Sequence, residues 1–222
     1  LDFEANNGSW IPANGNATSS WEWGTPAFGA TTGAHGGVNA WDVSLQSAYL
    51  SGLDDTLYTT YYNVIGAINP YLSFWQNRNT FAGDDGFWLE YTVNNGQNWQ
   101  TLPAGLNGLS WHNQPNLDFL NQEAWDGNSQ GWVKSTYFLS NVLAGSNKVR
   151  FRFIFHSTGF GTTLDGVSID DFCVNLPPAD DAGVISVVSA SGGILPQGNQ
   201  DSVLIDVRNY GINTITSVGV TY

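Results

Sequence analysis

Lys148 to Phe155 reads Lys-Val-Arg-Phe-Arg-Phe-Ile-Phe, and this strict alternation narrows the possible folds more than any other stretch of the chain. Successive side chains of a strand point to opposite faces. Val149, Phe151, Phe153 and Phe155 therefore form an inward face, while Lys148, Arg150, Arg152 and Ile154 look outward. Three of the six basic residues lie on that outward face, in a chain with nineteen acidic residues and a formal net charge of −13. In so acidic a setting they are expected to pair with carboxylates on neighbouring strands rather than to form a binding patch.

Further stretches read as strands: Leu1 to Glu4, Ser20 to Pro26, Asn39 to Asp42, Thr56 to Tyr62, Pro70 to Gln76 and Trp132 to Leu139. Phe87 to Val93 and Asn98 to Leu102 flank Asn94-Asn95-Gly96-Gln97, and an Asn-Gly step between strand-like runs marks a hairpin. Twenty-six glycines, 14% aromatic residues with ten Trp, and only 11% charged residues fit an all-β protein with many turns. At 222 residues and 41% hydrophobic content the chain can pack one large β domain or two smaller ones. The acidic balance argues against nucleic acid and anionic membrane as partners, because both require a basic surface. It suits a protein working in water outside the cell, with divalent cations present. A single Cys173 forms no internal disulfide. The chain shows no signal peptide or membrane-spanning run; it opens on Leu-Asp-Phe-Glu and closes in the strand-like Val218 to Tyr222, so it reads as a piece of something longer.

Chemistry concentrates in Leu164 to Val174, a strand pattern that sets Asp170 and Asp171 side by side. Adjacent strand residues face opposite ways, so one of the two must look inward. A carboxylate facing a core is costly unless a cation or backbone N–H groups satisfy it, and both readings stand: an ion site, or a tie that fixes a loop. The turn Gly83-Asp84-Asp85-Gly86 likewise either holds a cation or faces solvent. Trp21 and Trp23 on one face are either a stacking platform for a sugar ring or core aromatics. In the irregular stretch from Leu106 to Gly131, Trp111 and Trp125 either bind a ligand or pin the loop to the sheet. His35, His112 and His156 stand far apart with no hydrolase or metalloprotease motif, so no enzyme active site is expected.

Two resemblances rest on particular residues. Thr92-x-Asn94-x-Gly96-x-Asn98-Trp99 resembles the Asp-box hairpin, a folding device that implies no activity. More broadly, Phe3-Glu4, Trp21-Glu22-Trp23-Gly24, Leu72-Ser-Phe-Trp75, Asp85-Gly86-Phe-Trp-Leu-Glu90-Tyr, Asn95-Gly96-x-x-Trp99, Gly131-Trp132, Val149 to Phe153 and Asp165 to Asp171 occur in the order of the MAM-like jelly-roll domain. The chain most resembles the variant found in secreted multidomain proteins of Bacteroidetes-type bacteria, including peptidases and adhesins. The paired cysteines of animal MAM domains are missing here.

The resemblance covers residues 1–176 and implies an antiparallel two-sheet jelly-roll sandwich. It also implies a structural calcium held by Glu4 and Asp171, with Asp170 as the alternative and Asn39 or Asp42 as loop ligands. Residues 177–182 read as a linker, and 183–222 resemble the start of a CARDB-like or immunoglobulin-like β module that is expected to continue beyond Tyr222 or to take its missing strands from another chain. Two functions follow. One is a non-catalytic structural or adhesive module of a secreted or cell-surface bacterial protein, with other domains or subunits of a surface assembly as partners. The other is a carbohydrate-binding module of a secreted hydrolase or peptidase, in which Trp21, Trp111 or Trp125 stacks on glycans; an exposed Trp beside polar groups separates it from the first. Asp55-Thr56-Leu57 and Asp201-Ser202-Val203 further resemble the short O-glycosylation sequence of exported proteins in such bacteria.

Overall fold

The computed structural model describes residues 1–13, 20–65, 67, 69–139, 142–143, 146–175, 182–189, 203–209 and 213–217. Its contacts divide into two compact units, Leu1–Gly66 with Pro70–Asn175, and Leu176–Tyr222 with Ala67–Asn69. The first contains β1 (Ile11–Pro12), β2 (Trp21–Gly24), β3 (Ala40–Val43), β4 (Asp54–Asn63), β5 (Tyr71–Asn79) and β6 (Gly86–Thr92). It continues with β7 (Gln100–Thr101), β8 (Gly108–Leu109), β9 (Trp125–Asp126), β10 (Val133–Phe138), β11 (Lys148–His156) and β12 (Gly166–Asn175). The second unit contributes β13 (Ala182–Ser189) and β14 (Val203–Asn209), one antiparallel pair. Most of the linker, and all of the strand-like run from Val218 to Tyr222, lie outside the described residues.

The first unit is an antiparallel sandwich. One sheet runs β1-β4-β11-β6-β7 with β9 also on β6, and the other runs β2-β3-β12-β5-β10-β8. The alternation of β11 explains how they meet. Val149, Phe151, Phe153 and Phe155 are fully buried. The Phe153 ring lies 5.1 Å from Phe74 of β5 and 6.0 Å from Phe172 of β12. Trp10, Trp21 and Phe87 close in around it. Each such ring contributes roughly 1.5–3 kcal/mol on leaving water.

The hairpin between β6 and β7 forms as its residues suggest. Thr92 Oγ1 donates to Asn94 Oδ1 at 2.9 Å and accepts from Gly96 N at 3.0 Å, while Asn98 N donates to Asn94 Oδ1 at 3.0 Å. Leu1 to Glu4, in contrast, is no strand. Phe3 takes a left-handed φ of 55°, which drops its ring into the core against Trp10 at 5.0 Å. Asp55-Thr56-Leu57 lies inside β4 with Asp55 and Leu57 buried and Thr56 half-buried; residues 201 and 202 of the second such sequence fall outside the described residues.

The irregular stretch after β7 is anchored rather than open. Trp111 and Trp125 are buried, and their indole N–H groups donate to Leu102 O at 2.8 Å and Ser110 O at 3.1 Å. Arg78 reaches the same stretch, with Nε on Asp126 O at 2.8 Å and Nη2 on Asn113 Oδ1 at 3.2 Å. Leu117 and Ala124 then cover Trp88 and Ile154 in a small cluster on the outer side of the first sheet. His156, paired with Asp54 across β11 and β4, faces two carboxylates, Asp54 Oδ1 at 2.7 Å and Asp118 Oδ2 at 3.1 Å.

Candidate functional site

The site is built by a bulge in β12. Pairing with β5 shifts register between Asp170 and Cys173, and Asp171 takes a φ of 50°. The extra residue breaks the alternation expected of neighbouring strand residues, so Asp170 and Asp171 both meet one loop instead of facing opposite ways. Asp170 Oδ2 accepts from His35 N at 3.0 Å and Gly36 N at 3.1 Å, and its Oδ1 accepts from Asp171 N at 2.7 Å. Burial raises the Asp170 carboxyl above its ordinary range, and the N–H bonds from Gly36, Asp171 and His35 oppose the shift. Asp171 Oδ2 meets His35 Nδ1 at 2.7 Å.

Glu4 fixes the other end of the same loop. Its Oε1 accepts from Val38 N at 3.0 Å and Asn39 N at 2.8 Å, and Asn39 Nδ2 returns a bond to Glu4 O at 3.4 Å. Gly37 is required here: its φ is +67°, and a Cβ would run into the Glu4 carboxylate. Asp165 ties the loop's beginning through Ala30 N and Asn79 Nδ2. Four carboxylates, Glu4, Asp165, Asp170 and Asp171, thus hold residues 30–39 on the outer side of β12 and β5.

This geometry bears on the calcium expectation. Glu4, Asn39, Asp170 and Asp171 do gather at one loop, but the groups turned toward the carboxylates are amide N–H donors and an imidazole. Calcium requires six to eight oxygens. Among the described residues no group of three or more His, Cys, Asp or Glu side chains is arranged to hold a metal ion. In this arrangement the residues do not fit calcium, and the tie between carboxylate and loop accounts for the burial of Asp170 without it. Asp42 stands in a different neighbourhood. It accepts from Ser168 Oγ and is 1% exposed. Burial pushes its carboxyl up to about 8 against the lowering effect of that bond, with Glu22 and Asp165 adding to the rise. The acidic turn at 83–86 is also satisfied internally, since Asp85 is buried and accepts from Tyr49 Oη at 2.6 Å and Thr158 N at 2.7 Å.

The loop ends against an open cavity. The His35 ring stacks on Trp75, with centroids 3.7 Å apart, and meets Trp132 edge-on at 5.9 Å. Beside them lies a cavity of about 500 Å³ lined by Asp2, Ser73, Trp75, Lys134, Asp171 and Cys173, among others. Strand register explains the lining. Trp75 is opposite Lys134 of β10 and Asp170 of β12, and Ser73 is opposite Cys173. Trp75 is half-buried and Lys134 exposed. Cys173 Sγ is met by Ser73 Oγ at 3.2 Å and Asn175 Nδ2 at 2.8 Å.

The three Trp expected to stack on sugars do not meet this requirement. Trp21 is 1%, Trp111 8% and Trp125 1% exposed, so each anchors the core and presents no face to a ligand. Trp75, half-buried, is the Trp that lines the cavity. Its signal lies only in Leu72-Ser-Phe-Trp75, where Phe74 faces the core and Trp75 the other side.

The fold defines an all-β sandwich with a loop clasped to the outside of one sheet. No family model and no curated protein matches the chain. Among solved structures, the K2 cleaved adhesin domain of Lys-gingipain is 17% identical over 79% of this chain and 98% of its own, with a TM-score of 0.48. The K3 domain from Porphyromonas gingivalis W83 is 16% identical over 78% and 95%, with a TM-score of 0.44. The K1 domain from the same organism is 15% identical over 75% and 90%, with a TM-score of 0.41.

Proposed function

We propose that the chain is a non-catalytic, adhesive module of a secreted or cell-surface bacterial protein, and that it makes contact by holding a glycan in the cavity beside Trp75. The observation that carries this reading is the half-buried Trp75 set next to Lys134, Asp171 and Ser73 in a cavity of about 500 Å³. An aromatic face packs on the apolar side of a pyranose, while a few fixed polar groups of both signs orient its hydroxyls. The loop clasp supports it too, because a site already held in shape loses little entropy on binding.

Among the described residues the three histidines meet carboxylates or aromatic rings and no Ser or Cys side chain. The cradle of Glu4, Asp170 and Asp171 serves as scaffold in this reading, and no step depends on calcium.

A glycan array and polysaccharide pull-down on the 222-residue chain, with calcium and again with chelator, tests it. Binding that is lost in Trp75→Ala and kept in Trp111→Phe is the expected result. A folded sample that retains no glycan in either condition overturns the glycan part and leaves a structural module.

A further inference from the structure

The outer face of the other sheet carries an alternating ladder of cations and rings. Lys148 Nζ lies 4.8 Å from the centroid of Tyr61. The Arg150 guanidinium lies 5.2 Å from Tyr61 and 4.9 Å from Tyr58, and that of Arg152 lies 4.4 Å from Trp99. Two of these strand positions owe their placement to a bulge: Arg150 is opposite Tyr61 but Arg152 is opposite Tyr58, so β4 spends three residues where β11 spends two. Tyr58 and Tyr61 therefore share a face that a regular strand would deny them.

The three cations are not equivalent. Arg152 is neutralised, with Nε and Nη2 on Glu90 Oε2 at 2.7 and 2.5 Å. Glu90 Oε1 is taken in turn by the Trp88 indole at 3.0 Å. Arg150 donates Nε to Thr59 O at 2.7 Å. Among the described residues neither Arg150 nor Lys148 has a carboxylate within ion-pair distance, contrary to the pairing expected from sequence. The Nη1 and Nη2 pair of Arg150 and the Lys148 ammonium are thus two uncompensated donors groups, side by side, on a chain of net charge −13.

We propose that Arg150, Lys148 and Tyr61 bind the carboxylate of an acidic sugar, of the uronic or sialic acid kind, at the end of a glycan. The two Nη groups of a guanidinium match the two oxygens of a carboxylate as a fork. The adjacent ammonium adds a second charge-assisted donor. Tyr61, 41% exposed, supplies an amphipathic ring beside them for the body of the sugar. The overall charge decides against polyanions. Nucleic acids and anionic membranes present many charges to a surface that offers two cations in a strongly negative field. A ligand with a single anionic group suffers little of that repulsion.

This site lies on a different sheet from the Trp75 cavity, so its test is independent. Titrate the 222-residue chain with sialyllactose and with a glucuronate-terminated disaccharide, using lactose, sodium acetate and an oligodeoxythymidine as comparators. The acidic sugars bind at least about tenfold more tightly than lactose or acetate. Log K falls with log salt at a slope of roughly one, as for a single ion pair, rather than the steep slope of a polyanion. Lys148→Gln and Arg150→Lys each weaken acidic-sugar binding in samples that stay folded, the second because it keeps the charge and loses the fork. Trp75→Ala leaves it intact. No binding of acidic sugars, equal binding of lactose, equal binding of acetate, tighter binding of the oligonucleotide, or indifference to both variants each overturns the proposal.

Discussion

The imidazole of His35 lies flat on the indole of Trp75, with centroids 3.7 Å and planes 14° apart. This pair joins the loop to the floor of the cavity, since His35 also meets Asp171. A ring stack and a carboxylate bond at a partly exposed position together contribute about 1–2 kcal/mol. His35→Ala is therefore expected to lower the melting temperature by roughly 2–8 °C, given about 2–4 °C per kcal/mol in a domain of this size. Glycan affinity should drop with it. Calorimetry and a binding titration check both; a variant that melts and binds like the parent shows the stack to be incidental.

Asp42 makes stability fall as pH rises. The unfolded chain releases this proton near the ordinary value of 3.8, the folded chain only near about 8. Between those values the folded state holds the extra proton, so raising the pH favours unfolding, and the penalty is complete above about 8. Asp42→Asn removes the titrating group and keeps an acceptor for Ser168. The variant should gain stability over the parent steadily from pH 5 to pH 8, by on the order of a few kcal/mol at the top. Parallel stability curves for the two proteins contradict it.

Removing the acidic clasp is expected to loosen the loop, and removing divalent cations is expected to leave it in place. Asp170→Ala leaves three amide N–H groups without their acceptor, costing about 1–3 kcal/mol. Chelator or added calcium should leave the parent's melt within about 1 °C, because an ion that the folded state does not bind cannot shift its stability. Differential scanning calorimetry decides. A rise of several degrees with calcium means that residues 35–39 turn carbonyl oxygens inward to hold it.

Phe153 is the ring on which both sheets close. Phe153→Ala is expected to cost about 3–5 kcal/mol and to lower the melting temperature by on the order of 10 °C. Urea unfolding measures it, and a loss below about 1 kcal/mol shows that the core collapses to fill the gap.

The strands were legible where one face is wet and the other buried, as in β11, and where a turn residue fixes the register, as at Asn95-Gly96. Bulges hid the rest. Period two places Asp170 and Asp171 on opposite faces and Tyr58 and Tyr61 likewise, yet each pair ends on one side because an added residue breaks the count. Alternation within β5 sets Trp75 on the opposite face from Phe74, but nothing local shows that Trp111 and Trp125 fill the core. Their exposure is set by distant strands and by Arg78, which pins the stretch carrying them. Leu1 to Glu4 looked like a strand because apolar and acidic residues alternate there, and the left-handed Phe3 overrides the pattern.

The bulge in β4 has a bearing on how such a chain tolerates change in length. Thr59 faces inward and Tyr61 outward across it, with Thr60 between them on the outward side. Deleting Thr60 would join Thr59 to Tyr61 in regular alternation, leaving Tyr58 and Tyr61 outside and Leu57 and Thr59 inside. A shift of one residue elsewhere in a strand exchanges its two faces. At this point the strand can gain or lose a residue between generations without turning itself inside out.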